Sequence, residues 1–235
     1  MEETYFTKAI ILDRETFREF DVKVLVFSEE KGRLSLVARG AKKPKSKLAG
    51  HIEPLNMLKM MVVKGKNYQY LTSAVSLDSF VNIKEDLDKL GESGRAVRLF
   101  KKIIREHEID KNLYNLLKEF LEFVNKIDDV ELEFYKFALK LATFLGYEPY
   151  LNKCLDCAKE ELRFYFSAEA GGIICEKCLK NHKQVFAISE NDIKGIKNII
   201  KSDFKNITNI SKNISDKNFK RIVEELFLYN FDIKI

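Results

Sequence analysis

Residues 20–28 read Phe20-Asp21-Val22-Lys23-Val24-Leu25-Val26-Phe27-Ser28, and residues 31–50 read Lys31-Gly32-Arg33-Leu34-Ser35-Leu36-Val37-Ala38-Arg39-Gly40-Ala41-Lys42-Lys43-Pro44-Lys45-Ser46-Lys47-Leu48-Ala49-Gly50. Phe20, Val22, Val24 and Val26 alternate with Asp21, Lys23 and Leu25, a period-two pattern with mixed faces that predicts a strand. Leu34 and Leu36 alternate in the same way beyond Lys31-Gly32, which predicts a hairpin turn. Residues 40–50 then form a connection with four Lys, bounded by Gly, that is expected to stay at the surface. Further extended stretches cover 7–12, 55–63 and 68–75, the last two joined at Gly65-Lys66-Asn67. Five short strands within about eighty residues point to a small oligonucleotide-binding barrel, with a sandwich fragment as the alternative.

Beyond Ile83 the period changes. Leu113, Leu116, Leu117, Phe120, Leu121, Val124 and Ile127 fall on one face of a helix, and Phe134, Phe137, Ala138, Leu141 and Leu145 on one face of another. Asp129 is placed to cap the start of the second and Gly146 to end it. A weaker helix is expected over 94–106, and two more over 189–200 and 215–231. These stripes are read as core. The expected organisation is α+β: a five-stranded OB-fold β-barrel over residues 1–80, then an α-helical domain over 81–235 carrying a four-cysteine zinc-knuckle insertion at about 150–182.

The chain has 235 residues, 46% of them apolar and 33% charged, a folded composition long enough for one or two cores without disulfide staples. No apolar run exceeds four residues, far short of the roughly twenty of a membrane span. The acidic start, Met1-Glu2-Glu3-Thr4, is unlike a secretory signal, so an intracellular protein is expected. Net charge is only +5, but residues 31–77 hold ten Lys/Arg against Glu53 alone. A basic block of this kind is the footprint of a polyanion, because fixed positive charge displaces condensed counterions from phosphates. A solvated Lys-rich face is the bland alternative. Lys suits phosphates without base selectivity. Tyr68, Tyr70 and Phe6 are candidates for base stacking, though such aromatics more often fill a barrel.

Cys154, Cys157, Cys175 and Cys178 form two Cys-x-x-Cys pairs seventeen residues apart. Thiolates three residues apart on a tight turn share one metal, and two such knuckles complete a tetrahedral four-sulfur site of the structural zinc kind. Disulfides compete with this reading but suit an oxidising compartment, and a thioredoxin-like pair needs a βαβ context. With four thiolates no coordination position remains for an activated water, so the metal is expected to hold the fold. His182 is read as an ordinary surface histidine. No phosphate-binding Gly-Lys loop or dinucleotide fingerprint is present, the histidines His51, His107 and His182 are widely separated, and no deaminase signature precedes the Cys pairs. The expectation is a protein that is not an enzyme.

Together with residues 48–54, the two stretches quoted above closely resemble the N-terminal region of the bacterial recombination mediator RecO family. Tyr165-Phe166-Ser167-Ala168-Glu169-Ala170-Gly171-Gly172-Ile173-Ile174-Cys175 resembles that family's zinc-knuckle segment. The resemblance implies a non-enzymatic DNA repair protein of the cytoplasm, associated with the nucleoid. It would bind single- and double-stranded DNA, anneal complementary strands, join RecR, and help load RecA onto strands coated by single-strand binding protein. The family's basic DNA-contact region maps onto Arg33, Arg39, Lys42, Lys43, Lys45 and Lys47, and its zinc ligands onto the four cysteines. The Asn/Ser/Ile/Lys-rich residues 205–217 depart from the family, so no residue is assigned to docking single-strand binding protein. An RNA- or ribosome-associated OB-fold protein with a structural zinc ribbon is the alternative, and a zinc-dependent enzyme on nucleic acid is a weaker one.

Overall fold

The computed structural model describes residues 3–106, 108–159, 163–204 and 215–235. They fall into two compact units, Met1–Asp129 and Val130–Ile235.

In the first unit five strands, β1 (Glu3–Thr16), β2 (Val22–Ser28), β3 (Gly32–Ala38), β4 (Met57–Lys64) and β5 (Gln69–Asp78), close in the order β1-β2-β3-β5-β4, which settles barrel against sandwich. The long β1 pairs antiparallel with both β2 and β4, and a short parallel seam of Leu36 with Gln69 and Val37 with Tyr70 closes the ring. Alternate residues such as Val22, Val24, Val26, Leu34, Leu36 and Val62 fill the interior. The mixed faces of β2 have a physical cause: Phe27 points outward and packs edge-on against Phe100, 4.9 Å between ring centroids, so part of the outer face is buried too. The β2–β3 turn needs Gly32, because its φ of +65° is left-handed and a Cβ there would lie 2.1 Å from the Glu108 carbonyl oxygen.

Three helices complete this unit: α1 (Val81–Glu85), α2 (Leu87–Ile103) and α3 (Lys111–Val124). Helix α2 starts earlier than the expected 94–106, where Asp86 accepts from the amides of Asp88 and Lys89. Its first turn exposes Leu87, which hid the helical period. The expected boundary after residue 80 coincides with the end of the barrel strands, whereas the first compact unit continues to Asp129. The cause is the packing of α2 on the barrel through Phe27–Phe100 and through Lys101, whose Nζ lies 2.6 Å from Asp13 Oδ2.

The second unit is built around α4 (Glu133–Phe144), buried along most of its length, with α5 (Glu190–Lys201) and α6 (Asp216–Phe231). The N-cap of α4 is Leu132, which makes no side-chain cap, so Asp129 is not its cap as expected; Gly146, at φ +90°, does follow the helix end. Lys140 sends its ammonium to the carbonyls of Ile200 and Ser202 at the end of α5. A three-stranded sheet in the order β7-β6-β8, formed by β6 (Phe164–Ser167), β7 (Gly172–Cys175) and β8 (Phe186–Ile188), lies between α4 and α5 in the chain.

Asp192 joins the starts of α5 and α6. Its carboxylate accepts from the Ser189 amide in a capping box, from the Ser215 amide and from Asn218 Nδ2, each at 2.9 Å. Burial opposes the charge, but the bonds from Asn218, Ser189 and Ser215 outweigh it and hold the pKa below the ordinary Asp value. Asp192→Ala should therefore cost about 2–4 kcal/mol, read as a drop in midpoint on denaturant unfolding, because three part-buried donors lose a buried, charged acceptor. Because the folded pKa is depressed, this stabilisation is full above the unfolded carboxylate pKa and fades as pH falls through the folded one.

Candidate nucleic-acid interface and four-cysteine centre

One end of the barrel gathers the β1–β2 turn (17–21), the segment after β3 and the β4–β5 turn. The Asp21 carbonyl accepts from the amides of Phe17 and Arg18, and Asp21 Oδ1 accepts from the Gly40 amide at 2.8 Å, so a single residue ties the first turn to the basic loop. The Lys42 amide donates to the Phe20 carbonyl and its Nζ to Thr16 Oγ1 at 2.7 Å. Arg39 lies over the Tyr70 ring at 3.9 Å, Arg18 over Phe17 at 5.0 Å, and Lys43 over Phe20 at 5.7 Å. Tyr68 meets Phe17 edge-on at 5.3 Å. These are the first and last hairpin loops of the barrel, the ones through which OB folds bind oligonucleotides.

Among the described residues, no carboxylate pairs with Arg39, Lys42, Lys43, Lys45 or Lys47, so their charge is free to act outward. The loop is not wholly a surface strap, as expected from sequence. Ala41 and Ile52 are buried and Leu48 packs against the barrel core, which leaves the four Lys exposed between anchored ends. Arg33 departs from the expected set. Its Nη1 donates to the carbonyls of Lys101, at 3.0 Å, and Ile104, capping the end of α2, because β3 carries it toward the helix rather than toward the loop. Arg18, Phe17 and Phe20 were missed; the signal was Arg18 and two Phe within the first hairpin turn, upstream of the block where basic residues were counted. Of the proposed stacking residues, Tyr68 is 40% exposed, Tyr70 has one face covered by Arg39, and Phe6 is exposed on β1 opposite Met61, while Phe20, which was not among them, is 44% exposed.

In the second unit the four Sγ atoms of Cys154, Cys157, Cys175 and Cys178 lie within 4.8 Å of one another, and Cys157 and Cys175 are 3.7 Å apart. Tetrahedral thiolates at about 2.3 Å from a metal would be roughly 3.8 Å apart. The cysteines are free, so the arrangement fits a shared metal and not two disulfides. The first pair sits on a turn closed by the Ala158 amide on the Cys154 carbonyl; Cys175 ends β7, and Cys178 lies in the 3-10 turn Glu176–Asn181. Burial disfavours the Cys154 thiolate, but amide donors from Cys157, Cys175 and Asp156 prevail and bring its pKa to about 7. His182 is not idle. Its Nε2 lies 3.0 Å from Asp156 Oδ2 and clasps the two knuckles together. His51 bonds Ser76 within the barrel unit, and His107 lies outside the described residues.

Residues 1–80 match the family model described as "Recombination protein O N terminal", and residues 84–229 the one described as "Recombination protein O C terminal". The chain belongs to the RecO family. A relative named "DNA repair protein RecO" from Thermoanaerobacter sp. (strain X514) is 31% identical over 205 residues, covering 87% of this chain and 83% of the relative. Proteins of the same name from Oceanobacillus iheyensis and Caldanaerobacter subterraneus are 30% and 28% identical, covering 86% and 87% of this chain and 78% and 83% of their own lengths. The two RecO family regions meet at the first helix after the barrel, where the hydrophobic period changes. RecO membership places the chain among DNA repair and recombination proteins. No helix among its described residues is long and apolar enough to cross a membrane.

Proposed function

We propose that this RecO-family chain is a recombination mediator of the cytoplasm and nucleoid that binds and anneals single-stranded DNA. With RecR it helps load RecA onto strands coated by single-strand binding protein. In this reading residues 1–80 are the nucleic-acid-binding domain and 81–235 the helical domain that carries the metal site. The observation that carries it is the end of the barrel, where Arg39, Lys42, Lys43, Lys45 and Lys47 have no carboxylate partner among the described residues and Arg39 and Lys43 lie over Tyr70 and Phe20. Arg33 belongs to the fold in this reading.

Annealing requires two like-charged backbones to approach. Flexible ammonium groups lower that repulsion without fixing a base sequence, so strands remain free to slide into register. Exposed rings favour unstacked bases over a closed duplex. None of these steps breaks a covalent bond, so the chain acts by binding and not as an enzyme. The cysteines would hold zinc, which suits an all-sulfur donor set; when bound it would neutralise thiolate charge and brace the β6–β7–β8 sheet. Cys154, Cys157, Cys175 and Cys178 would be its ligands, and Asp156 with His182 fixes the two knuckles relative to each other.

Binding of a labelled oligo-dT strand, followed by fluorescence anisotropy across a salt series, tests the reading. With about four cations on phosphates, log K should fall with log salt at a slope of roughly −3. Salt-independent affinity, or no binding, would remove the reading. Tighter binding of RNA of equal length would move it to an RNA-associated protein.

A further inference from the structure

A groove of about 550 Å³ lies in the first unit between the outer face of β1–β3 and α2; among the described residues, eleven line it, six of them basic and three acidic. Its charges are not equivalent. Lys23 and Lys101 are held by Glu15 and Asp13, at 3.3 and 2.6 Å, and Arg14 turns to Glu53 at 2.6 Å. Arg33 bonds only neutral carbonyls, and its buried Nε has no partner among the described residues. Arg98 and Lys102, one helical turn apart on α2, are exposed, and neither has a carboxylate partner among the described residues. Three positive charges thus remain uncompensated, against Glu106 as the one lining acid without a basic partner there.

The groove is continuous with the barrel-end cluster along a single hairpin. Glu15 pairs with Lys23 and Thr16 with Val22, and the next residues are Phe17, Arg18 and Phe20 of the turn. About 10 Å of strand separates Arg14 from Phe17. A polyanion seated on the turn therefore reaches the groove mouth about 10 Å further along its own path. A small anion would not need this continuity, but a phosphate backbone would use it.

Resting on the function proposed above, we infer that this groove is a second segment of the same nucleic-acid track: a strand held at the barrel end continues along β1–β2 and places its phosphates against Arg98 and Lys102 of α2. The groove supplies length and charge, not base contacts, since its cations are long and the described residues that line it include no aromatic ring.

The test is the R98E/K102E variant of the full chain, with R98A/K102A beside it and circular dichroism to verify folding. Both positions are exposed, so the fold should be retained. A strand of roughly 8 nucleotides fits within one barrel's site size and should bind as to wild type, whereas a strand of roughly 25 nucleotides should bind about tenfold more weakly. Its salt slope should shrink by about 1.4, two single-strand phosphate contacts. The alanine pair should shift both readings in the same direction by less. K42E/K43E, in contrast, should weaken both lengths. If R98E/K102E binds the longer strand like wild type while K42E/K43E does not, the groove is overturned and the barrel-end reading stands. If wild type binds neither length, both fall. If the variant loses only a labelled polyglutamate peptide, with both oligonucleotide affinities unchanged, the groove takes acidic protein and the inference fails.

Discussion

Reversing Lys42, Lys43, Lys45 and Lys47 to Glu is expected to abolish DNA binding and strand annealing at physiological salt, a loss on the order of 100-fold or more for four phosphate contacts converted to repulsions. The fold should survive. All four side chains are exposed, and the loop is held by Ala41, Leu48 and Ile52 rather than by its charges. The folded-state interactions removed are the Lys42 bond to Thr16 and the Lys43 contact with Phe20, both at the surface, where such interactions contribute about 1 kcal/mol or less each. Gel shift and an annealing assay read the effect, and thermal melting controls for unfolding. Replacement of the same four by Arg should retain binding. Annealing that persists in the Glu variant would place the site elsewhere on the chain.

Cys154→Ser is expected to have the larger structural effect. A structural zinc supplies on the order of 10–16 kcal/mol of binding free energy in small domains, more than the few buried side chains of the sheet, such as Phe166, Ile173 and Phe186, supply to the knuckles. The apolar cluster beside the centre consists of Cys154, Ile174 and Cys175 with a few half-buried neighbours. Without the metal, the thiols face one another and the two knuckles are joined through polar contacts such as those of Asp156 with His182 and Asn181. The variant should lose bound zinc, and limited proteolysis should cut first around β6–β8. Elemental analysis of wild type purified without chelator should give one zinc per chain, and X-ray absorption should show four sulfur neighbours. Metal-free wild type with an unchanged melting profile would reject the centre.

Much of this was readable in the residues, for reasons that differ by element. The period-two strands and their turns were legible because alternation survives wherever one face is solvated, as on β3 and β4. The helices α5 and α6 were legible to within a residue because Ser189 and Ser215 are N-caps with helical patterns directly behind them. The start of α2 was not, because its first turn shows an exposed Leu87 and a buried Lys89, the reverse of the usual pattern. The sheet β7-β6-β8 was hidden because three or four residues per strand are too few to establish a period. At the site, the cysteine spacing and the lysine run announced themselves in sequence. The role of Arg33 did not, because a cation's partner across sixty-eight residues is a property of packing and not of neighbours.

The way the basic loop is mounted also bears on how such a chain can drift. Its ends are nailed into the barrel by small and apolar side chains, while the cationic side chains between them are exposed and make surface contacts such as those of Lys42 with Thr16 and Lys43 with Phe20. Selection on fold therefore acts at 41, 48 and 52, with Ser46 bonding the Leu48 amide, and leaves the identity of 42, 43, 45 and 47 far less constrained, so that Arg can be exchanged for Lys there at little cost to the scaffold. Grip on a polymer can thus be retuned to a saltier or hotter habitat without a single compensating change in the core.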